Sequence, residues 1–113
     1  MRKVNREEAI ELINTESNVL VTFVSDHCPV CKKFVPEVLD VLDSEFPHVT
    51  MIEVNETGEK KMFGPDIYPS AYAFKNGDRV DWMKGAGPLD PVKAKMLQLF
   101  PLDTPEETEQ NEE

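Results

Sequence analysis

Apolar residues recur along the chain with different periods, and each period marks an element. Over residues 6–14, Ala9, Leu12 and Ile13 share one face of a helix, and Asn5 followed three residues later by Glu8 has the composition of a capping box. Only residues 2–4 precede it, which leaves room for a short strand. Residues 19–24, Val-Leu-Val-Thr-Phe-Val, are apolar at nearly every position, as a strand covered on both faces requires, so this strand is placed at the centre of the sheet. From Pro29 onward the spacing changes to three and four: Phe34, Val35, Val38, Leu39, Val41, Leu42 and Phe46 predict one long amphipathic helix to about residue 45. Pro29 suits its first turn, whereas Pro36 lies inside it and is expected to kink it.

Residues 49–54 are a second β-branched strand, completing a βαβ unit with parallel strands and a right-handed crossover. A short helix is expected over 56–63, stopped by Gly64-Pro65. Residues 70–74 and 79–83 then form an antiparallel hairpin around Asn76-Gly77, whose residue types supply the positive φ angles of a tight turn. Gly85-Ala86-Gly87-Pro88 breaks the strand. Asp90 is expected to cap, and Pro91 to open, a last helix that turns Val92, Met96, Leu99 and Phe100 to the sheet before Pro101 ends it. Trp82, on the last strand, is expected to pack in the core or at the sheet edge, and no internal repeat is present.

Composition adds boundaries to this α/β pattern. A chain of 113 residues, 40% apolar, holds one hydrophobic core. Its 22 acids against 12 bases give a net charge of −10, but six of the acids lie in residues 101–113, which contain no Lys or Arg. With those six removed, 16 acids face 12 bases, so much of the acidity belongs to the end of the chain. A domain over residues 1–101 and an acidic, disordered tail over 102–113 are therefore expected. Scattered bases on an acidic chain argue against nucleic acid as a partner. The first twelve residues mix charge with isolated apolar residues, unlike a signal peptide, and no apolar run is long enough for a membrane span. A cytoplasmic protein without membrane association is expected, and in a reducing compartment two cysteines point to redox chemistry or metal rather than a permanent staple.

Cys28-Pro29-Val30-Cys31 stands where the central strand feeds the long helix. There the first sulfur faces free N–H groups and the positive end of the helix dipole, worth up to about 2 kcal/mol when partly buried. Since one pKa unit is about 1.4 kcal/mol, that is enough to bring a thiol from about 8.5 to roughly 7. Cys28 then becomes a nucleophile at neutral pH, and Cys31, one turn further, can resolve the mixed disulfide. Two other readings of the pair stand beside this one. A zinc site needs two further ligands, and apart from carboxylates only His27 and His48 are available, one adjoining Cys28 and the other beyond the long helix. Two inert buried thiols would sit oddly beside the polar flank Ser25-Asp26-His27, which argues for exposure.

The ordered set of features around the dithiol resembles the thioredoxin superfamily, and within it thioredoxin itself. It comprises the strand before Cys-x-x-Cys, Pro36 five residues after the second Cys, Ile67-Tyr68-Pro69 ahead of the hairpin, the turn Lys75-Asn76-Gly77, and Gly85 eight residues after Gly77. The resemblance spans roughly residues 6–100. It implies a thioredoxin fold: a mixed sheet of four or five strands flanked by helices on both faces. It implies a thiol–disulfide oxidoreductase acting on disulfide-containing proteins as a monomer, with a flavoprotein reductase as electron donor and neither metal nor organic cofactor needed for the exchange. It further implies a cis Tyr68-Pro69 bond that brings the backbone of Tyr68 beside the dithiol, where an extended substrate segment can pair, with Gly85 lining the same groove. His27 and Pro29 complete the expected substrate contacts. Tyr68 serves either as a substrate contact or as cover for the dithiol.

Departures from the family pattern concern redox tuning. Pro29-Val30 replaces the usual Gly-Pro between the cysteines, and His27 replaces the usual Trp before them. A Pro in first position resembles glutaredoxin, although Tyr68 and Gly85-Ala86-Gly87 match glutaredoxin's glutathione elements poorly. A glutathione-dependent enzyme, or a binding module that uses the scaffold without catalysis, are the alternatives. Thr22 occupies the place of the family's buried Asp, and Met51 is aligned with its partner Lys, so the proton relay to the second cysteine is expected to be absent. Cys31 would then lose its proton to water, Asp26 or His27. An imidazolium at position 27 would favour the Cys28 thiolate and make the pair more oxidising, and a solvated His27 would do neither.

Overall fold

The computed structural model describes residues 1–57 and 67–101. In chain order it contains β1 (Arg2–Lys3), α1 (Arg6–Thr15), β2 (Asn18–Val24), α2 (Pro29–Phe34), a π-helical segment (Val35–Leu39), α3 (Asp40–Glu45), β3 (Thr50–Asn55), β4 (Ser70–Lys75), β5 (Asp78–Lys84) and α4 (Leu89–Leu99). The strands form one mixed sheet in the order β1-β3-β2-β4-β5. β2 lies at its centre, parallel to β3 and antiparallel to β4, and its nearly continuous apolar run predicts the central place. The short helix expected over 56–63 falls beyond the described residues except for Glu56 and Thr57, which are not helical, and the acidic tail 102–113 lies outside them altogether.

The parity of the strand residues divides the core into two layers. Val19, Val21 and Phe23 of β2 join Ile52, Val54, Tyr72 and Phe74 beneath Ala9 and Ile13 of α1. Leu20 of β2, with Met51, Ala71 and Ala73, meets Phe34, Val38, Leu39 and Leu42 of the α2–α3 helix, and Met96 of α4 with Phe100 just beyond it. Thus the helices cover both faces, with α1 on one and α2, α3 and α4 on the other. α1 starts at the expected capping box: the Asn5 side chain accepts from the Glu8 N–H at 2.8 Å and the Asn5 N–H donates to Glu8 Oε1 at 3.0 Å.

Pro36 acts where expected, with a specific result. Lacking an N–H, it cannot close an ordinary helical turn, and the chain widens by one residue over Val35–Leu39, where the Asp40 N–H donates to the Val35 carbonyl. Val38, Leu39 and Leu42 all remain buried across the wide turn. The hairpin turn uses Asn76 at φ 53° and Gly77 at φ 89°, the left-handed pair that Asn-Gly predicts.

One expectation is corrected. α4 begins at Leu89 with Pro88 at its N-cap, rather than with Asp90 as cap and Pro91 opening. Pro91 instead takes the third helical position, where an N–H has no intrahelical acceptor to lose, and Asp90 lies in the first turn at the positive end of the dipole. Of the two places expected for Trp82, the structure takes the sheet edge: it is 47% exposed on β5, the outer strand, with the Arg79 guanidinium 5.3 Å from its ring.

Candidate functional site

The end of β2 and the start of α2 place the two cysteines. Cys28 is the N-cap residue of α2, with extended φ and ψ, and Pro29 holds the first helical position. The Cys31 N–H is shared between the Cys28 carbonyl oxygen at 3.1 Å and Cys28 Sγ at 3.2 Å, and the sulfurs are joined in a disulfide with the Cα atoms 5.3 Å apart. Both are less exposed than the polar flank suggested, Cys28 at 9% and Cys31 at 3%. The reason is lateral cover, because Val24, Val35 and Tyr68 pack around the pair.

The Tyr68-Pro69 bond is cis, as the family resemblance implies. It delivers the Tyr68 carbonyl oxygen to 3.5 Å from Cys28 Sγ. The Tyr68 hydroxyl donates to Glu56 Oε1 at 2.8 Å, and burial, followed by that hydrogen bond, pushes its pKa up to about 12. Pro69 is fully buried, and its carbonyl accepts from the Gly85 N–H at 2.8 Å. Gly85 thereby comes next to Pro69. A Cβ there would meet nothing within 4 Å, and it is φ of +81° that favours glycine.

His27 is brought to the mouth of the site without engaging it. Its N–H donates to Ser25 Oγ at 3.2 Å, and its exposed imidazole has no hydrogen bond among the described residues. Asp26 is also exposed, its backbone N–H donating to Thr57 Oγ1 at 2.6 Å and its carboxylate accepting from Asn55 Nδ2 at 2.8 Å.

Sequence reasoning missed two features. The first is an apolar groove of about 610 Å³ beside the dithiol, walled by Pro29, Val30 and Phe34 on one side and Gly87, Pro88 and Leu89 on the other. Val30 is 53% exposed there, an unusual place for a large aliphatic side chain, but in the sequence it is one apolar residue in a helical pattern. The second lies behind Cys31. Thr22 pairs in register with Glu53, and Met51 with Leu20. The residue opposite Thr22 is thus the carboxylate Glu53, two positions beyond Met51 on the same face. Glu53 is 8% exposed, and its burial pushes the carboxyl pKa upward against the opposing pull of Lys3. Thr22 is fully buried, and its hydroxyl has no hydrogen-bond partner among the described residues.

A family model described as thioredoxin matches residues 1–98. The chain is 32% identical over 108 residues to a Schizosaccharomyces pombe protein named as a protein disulfide-isomerase, covering 91% of this chain and 22% of that protein. It is 32% identical over 77 residues to a thioredoxin from Chlamydia trachomatis, covering 66% of this chain and 74% of that one. Among solved structures it is similar to Chlamydomonas reinhardtii thioredoxin f2, at 25% identity and a TM-score of 0.79, with 91% of this chain and 99% of that chain covered. The chain therefore spans about a fifth of the fission yeast protein and most of each thioredoxin.

Proposed function

The chain belongs to the thioredoxin family, a family of thiol–disulfide oxidoreductases, and we propose that it exchanges disulfides of protein substrates, with Cys28 as attacking thiolate and Cys31 as resolving thiol. The observation that carries this reading is the Cys28–Cys31 disulfide at a helix N-terminus with the Tyr68 carbonyl 3.5 Å from Cys28 Sγ. In the reducing direction, the Cys28 thiolate attacks a substrate disulfide and one substrate sulfur leaves as thiolate. Cys31 then attacks Cys28 Sγ, the Cys28–substrate bond breaks, and the second substrate sulfur departs with its electron pair. The substrate gains two electrons and the protein closes its own disulfide.

Pro69, Tyr68 and Gly85 frame the substrate segment in this reading, and His27 and Pro29 border it. Supporting it, the cis bond turns the Tyr68 backbone toward the dithiol, and the groove at Val30 offers apolar cover to neighbouring side chains. Reduced protein is regenerated by a flavoprotein reductase, and the chain works as a monomer in the cytoplasm, where a dithiol of this kind is kept reduced. Among the described residues no helix is long and apolar enough to cross a membrane.

Reduction of insulin by dithiothreitol is the test. The parent chain accelerates it and Cys28→Ser does not. Equal rates for the two would remove the assignment. A dithiol potential near about −270 mV marks a reductase of thioredoxin type, and one nearer about −200 mV places the chain with glutaredoxin-like or more oxidising proteins.

A further inference from the structure

Behind Cys31 the molecule opens into a cleft of about 420 Å³ with mixed polar and apolar walls, whose lining includes Cys31, Val35 and Pro36 from the long helix and Glu53 and Asn55 from β3. The strand parity explains why. Thr22 and Glu53 project from the same face of the sheet as Leu20 and Met51, which is the face that α2 and α3 cover. Val35 and Pro36 of the wide turn line the same cleft, which has Cys31 and Glu53 among its walls. Its size and the charged groups among its walls suit several water molecules.

Six charged groups face Glu53 from the elements packed around it: Lys3 on β1, the Met1 ammonium before it, Glu8 on α1, Asp26 in the loop after β2, Lys32 on α2 and Asp40 on α3. Four carboxylates are thus present, and three are committed. Asp26 accepts from Asn55 Nδ2 at 2.8 Å, Asp40 from the Met1 ammonium at 2.6 Å, and Glu8 from the Asn5 N–H at 3.0 Å. Glu53 alone of the four has no side-chain hydrogen bond or ion pair among the described residues, and it is the buried one. A buried carboxylate with uncommitted lone pairs, sharing a cleft with a thiol that must lose a proton, is placed to take that proton.

We propose that Glu53 is the proton acceptor for Cys31 during resolution of the mixed disulfide, acting across the cleft through solvent. The proposal rests on the reading of Cys31 as the resolving thiol. In the step, the Cys31 S–H proton passes to the Glu53 carboxylate, the freed sulfur electron pair forms the bond to Cys28 Sγ, and the Cys28–substrate bond breaks with its electron pair leaving on the substrate sulfur. Protonated Glu53 returns its proton to solvent. Glu53 does not touch the reacting sulfurs, so it is a positioning residue for the proton. Burial that raises its carboxyl pKa brings it closer to a thiol's range and makes it a better acceptor than an exposed carboxylate.

Stopped-flow reaction of the reduced protein with 5,5′-dithiobis(2-nitrobenzoic acid) separates the steps. The first thionitrobenzoate released reports Cys28 attack, and the second reports Cys31 resolution. With the parent, the second phase rises with pH through a carboxyl inflection and then levels. In Glu53→Gln that inflection disappears and the second phase slows about tenfold or more at pH 6, while the first phase stays within twofold. Glu53→Asp recovers the inflection. A second phase in Glu53→Gln that slows less than fivefold or accelerates overturns the proposal, as does loss of the inflection in Asp26→Asn but not in Glu53→Gln. If the parent shows no second phase and fails to reduce insulin, it is the oxidoreductase reading that falls. Far-UV circular dichroism of the isosteric variant verifies its fold, and Cys31→Ser supplies the signature of a first phase alone.

Discussion

Tyr68 is tied at both ends: its hydroxyl donates to Glu56 Oε1 at 2.8 Å while its carbonyl oxygen lies 3.5 Å from Cys28 Sγ. One side chain thus couples a buried carboxylate just past β3 to the position of the backbone beside the dithiol. Tyr68→Phe removes the hydroxyl and keeps the ring that covers the cysteines. A hydrogen bond to a charged group is worth about 1.5 to 3 kcal/mol, so a loss of about 1.5 kcal/mol is expected in urea unfolding at pH 7.

The same bond makes a prediction for alkaline pH. The phenol pKa of Tyr68 rises from 10.0 to about 12 in the folded chain, first through burial and then through Glu56. Because the folded value is the higher one, the folded state holds the proton longer, and this contribution to stability is full below pH 10 and lost as pH climbs through about 12. Absorbance of tyrosinate at 295 nm, taken as parent minus Tyr68→Phe, is expected to reach half its height near pH 12. A midpoint near 10 would show that the ring is not held as described.

The Thr22 hydroxyl, at 0% exposure in the middle of the central strand, has no hydrogen-bond partner among the described residues. Burying such a group without a partner costs about 1 to 3 kcal/mol. Thr22→Val keeps the branched shape and the β propensity while removing the oxygen. It is expected to stabilise the chain by about 1 kcal/mol, read as a higher urea midpoint with an unchanged m value. A lower midpoint would mean that the hydroxyl is satisfied in solution.

How far each of these features could be foreseen depends on what kind of information sets it. The five apolar residues among the six from Val19 to Val24 announce a strand covered on both faces without reference to anything else, and β2 is central. Asn76-Gly77 likewise encodes its own left-handed turn. Register is different. Met51 and Glu53 lie on the same face because they are two residues apart, so alternation identifies the face but cannot choose which of them stands opposite Thr22; strand pairing chooses Glu53. Pro36 foretold a disturbed helix, but the form of the disturbance, one wide turn over Val35–Leu39, depends on keeping Val38, Leu39 and Leu42 in the core. The burial of Cys28 escaped notice for a similar reason, because its cover comes from Tyr68, forty residues away.

Glu53 also has a measurable effect on stability, separate from any role in proton transfer. Burial, the largest influence on it, raises its carboxyl pKa above the ordinary 4.5, with Lys3 pulling the other way. Below that ordinary value the carboxyl is protonated in both states. As pH rises past it the unfolded chain ionises first, so folding stability is lost progressively until pH passes the raised folded value. Glu53→Gln, neutral throughout, is therefore expected to have a higher urea midpoint than the parent at pH 7 to 8, with the difference vanishing toward pH 4. A difference that does not change with pH would assign the effect to packing rather than charge.

Gly85 separates a conformational from a functional requirement. At φ +81° an alanine is strained by about 1 to 2 kcal/mol, yet its methyl group would meet nothing within 4 Å, so no repacking adds to that loss. Gly85→Ala should accordingly lower stability by about 1 to 2 kcal/mol in urea unfolding while leaving the disulfide intact. The proposed groove adds a second consequence. The open space beside the Cβ position is then where a substrate backbone passes, and a methyl there impedes a protein segment far more than a small reagent. KM for insulin should rise several-fold, whereas single-turnover reaction with 5,5′-dithiobis(2-nitrobenzoic acid) should change by less than twofold. If both reactions slow together, the glycine acts by holding the Pro69 carbonyl, to which its N–H donates at 2.8 Å, and if neither slows it serves the fold alone.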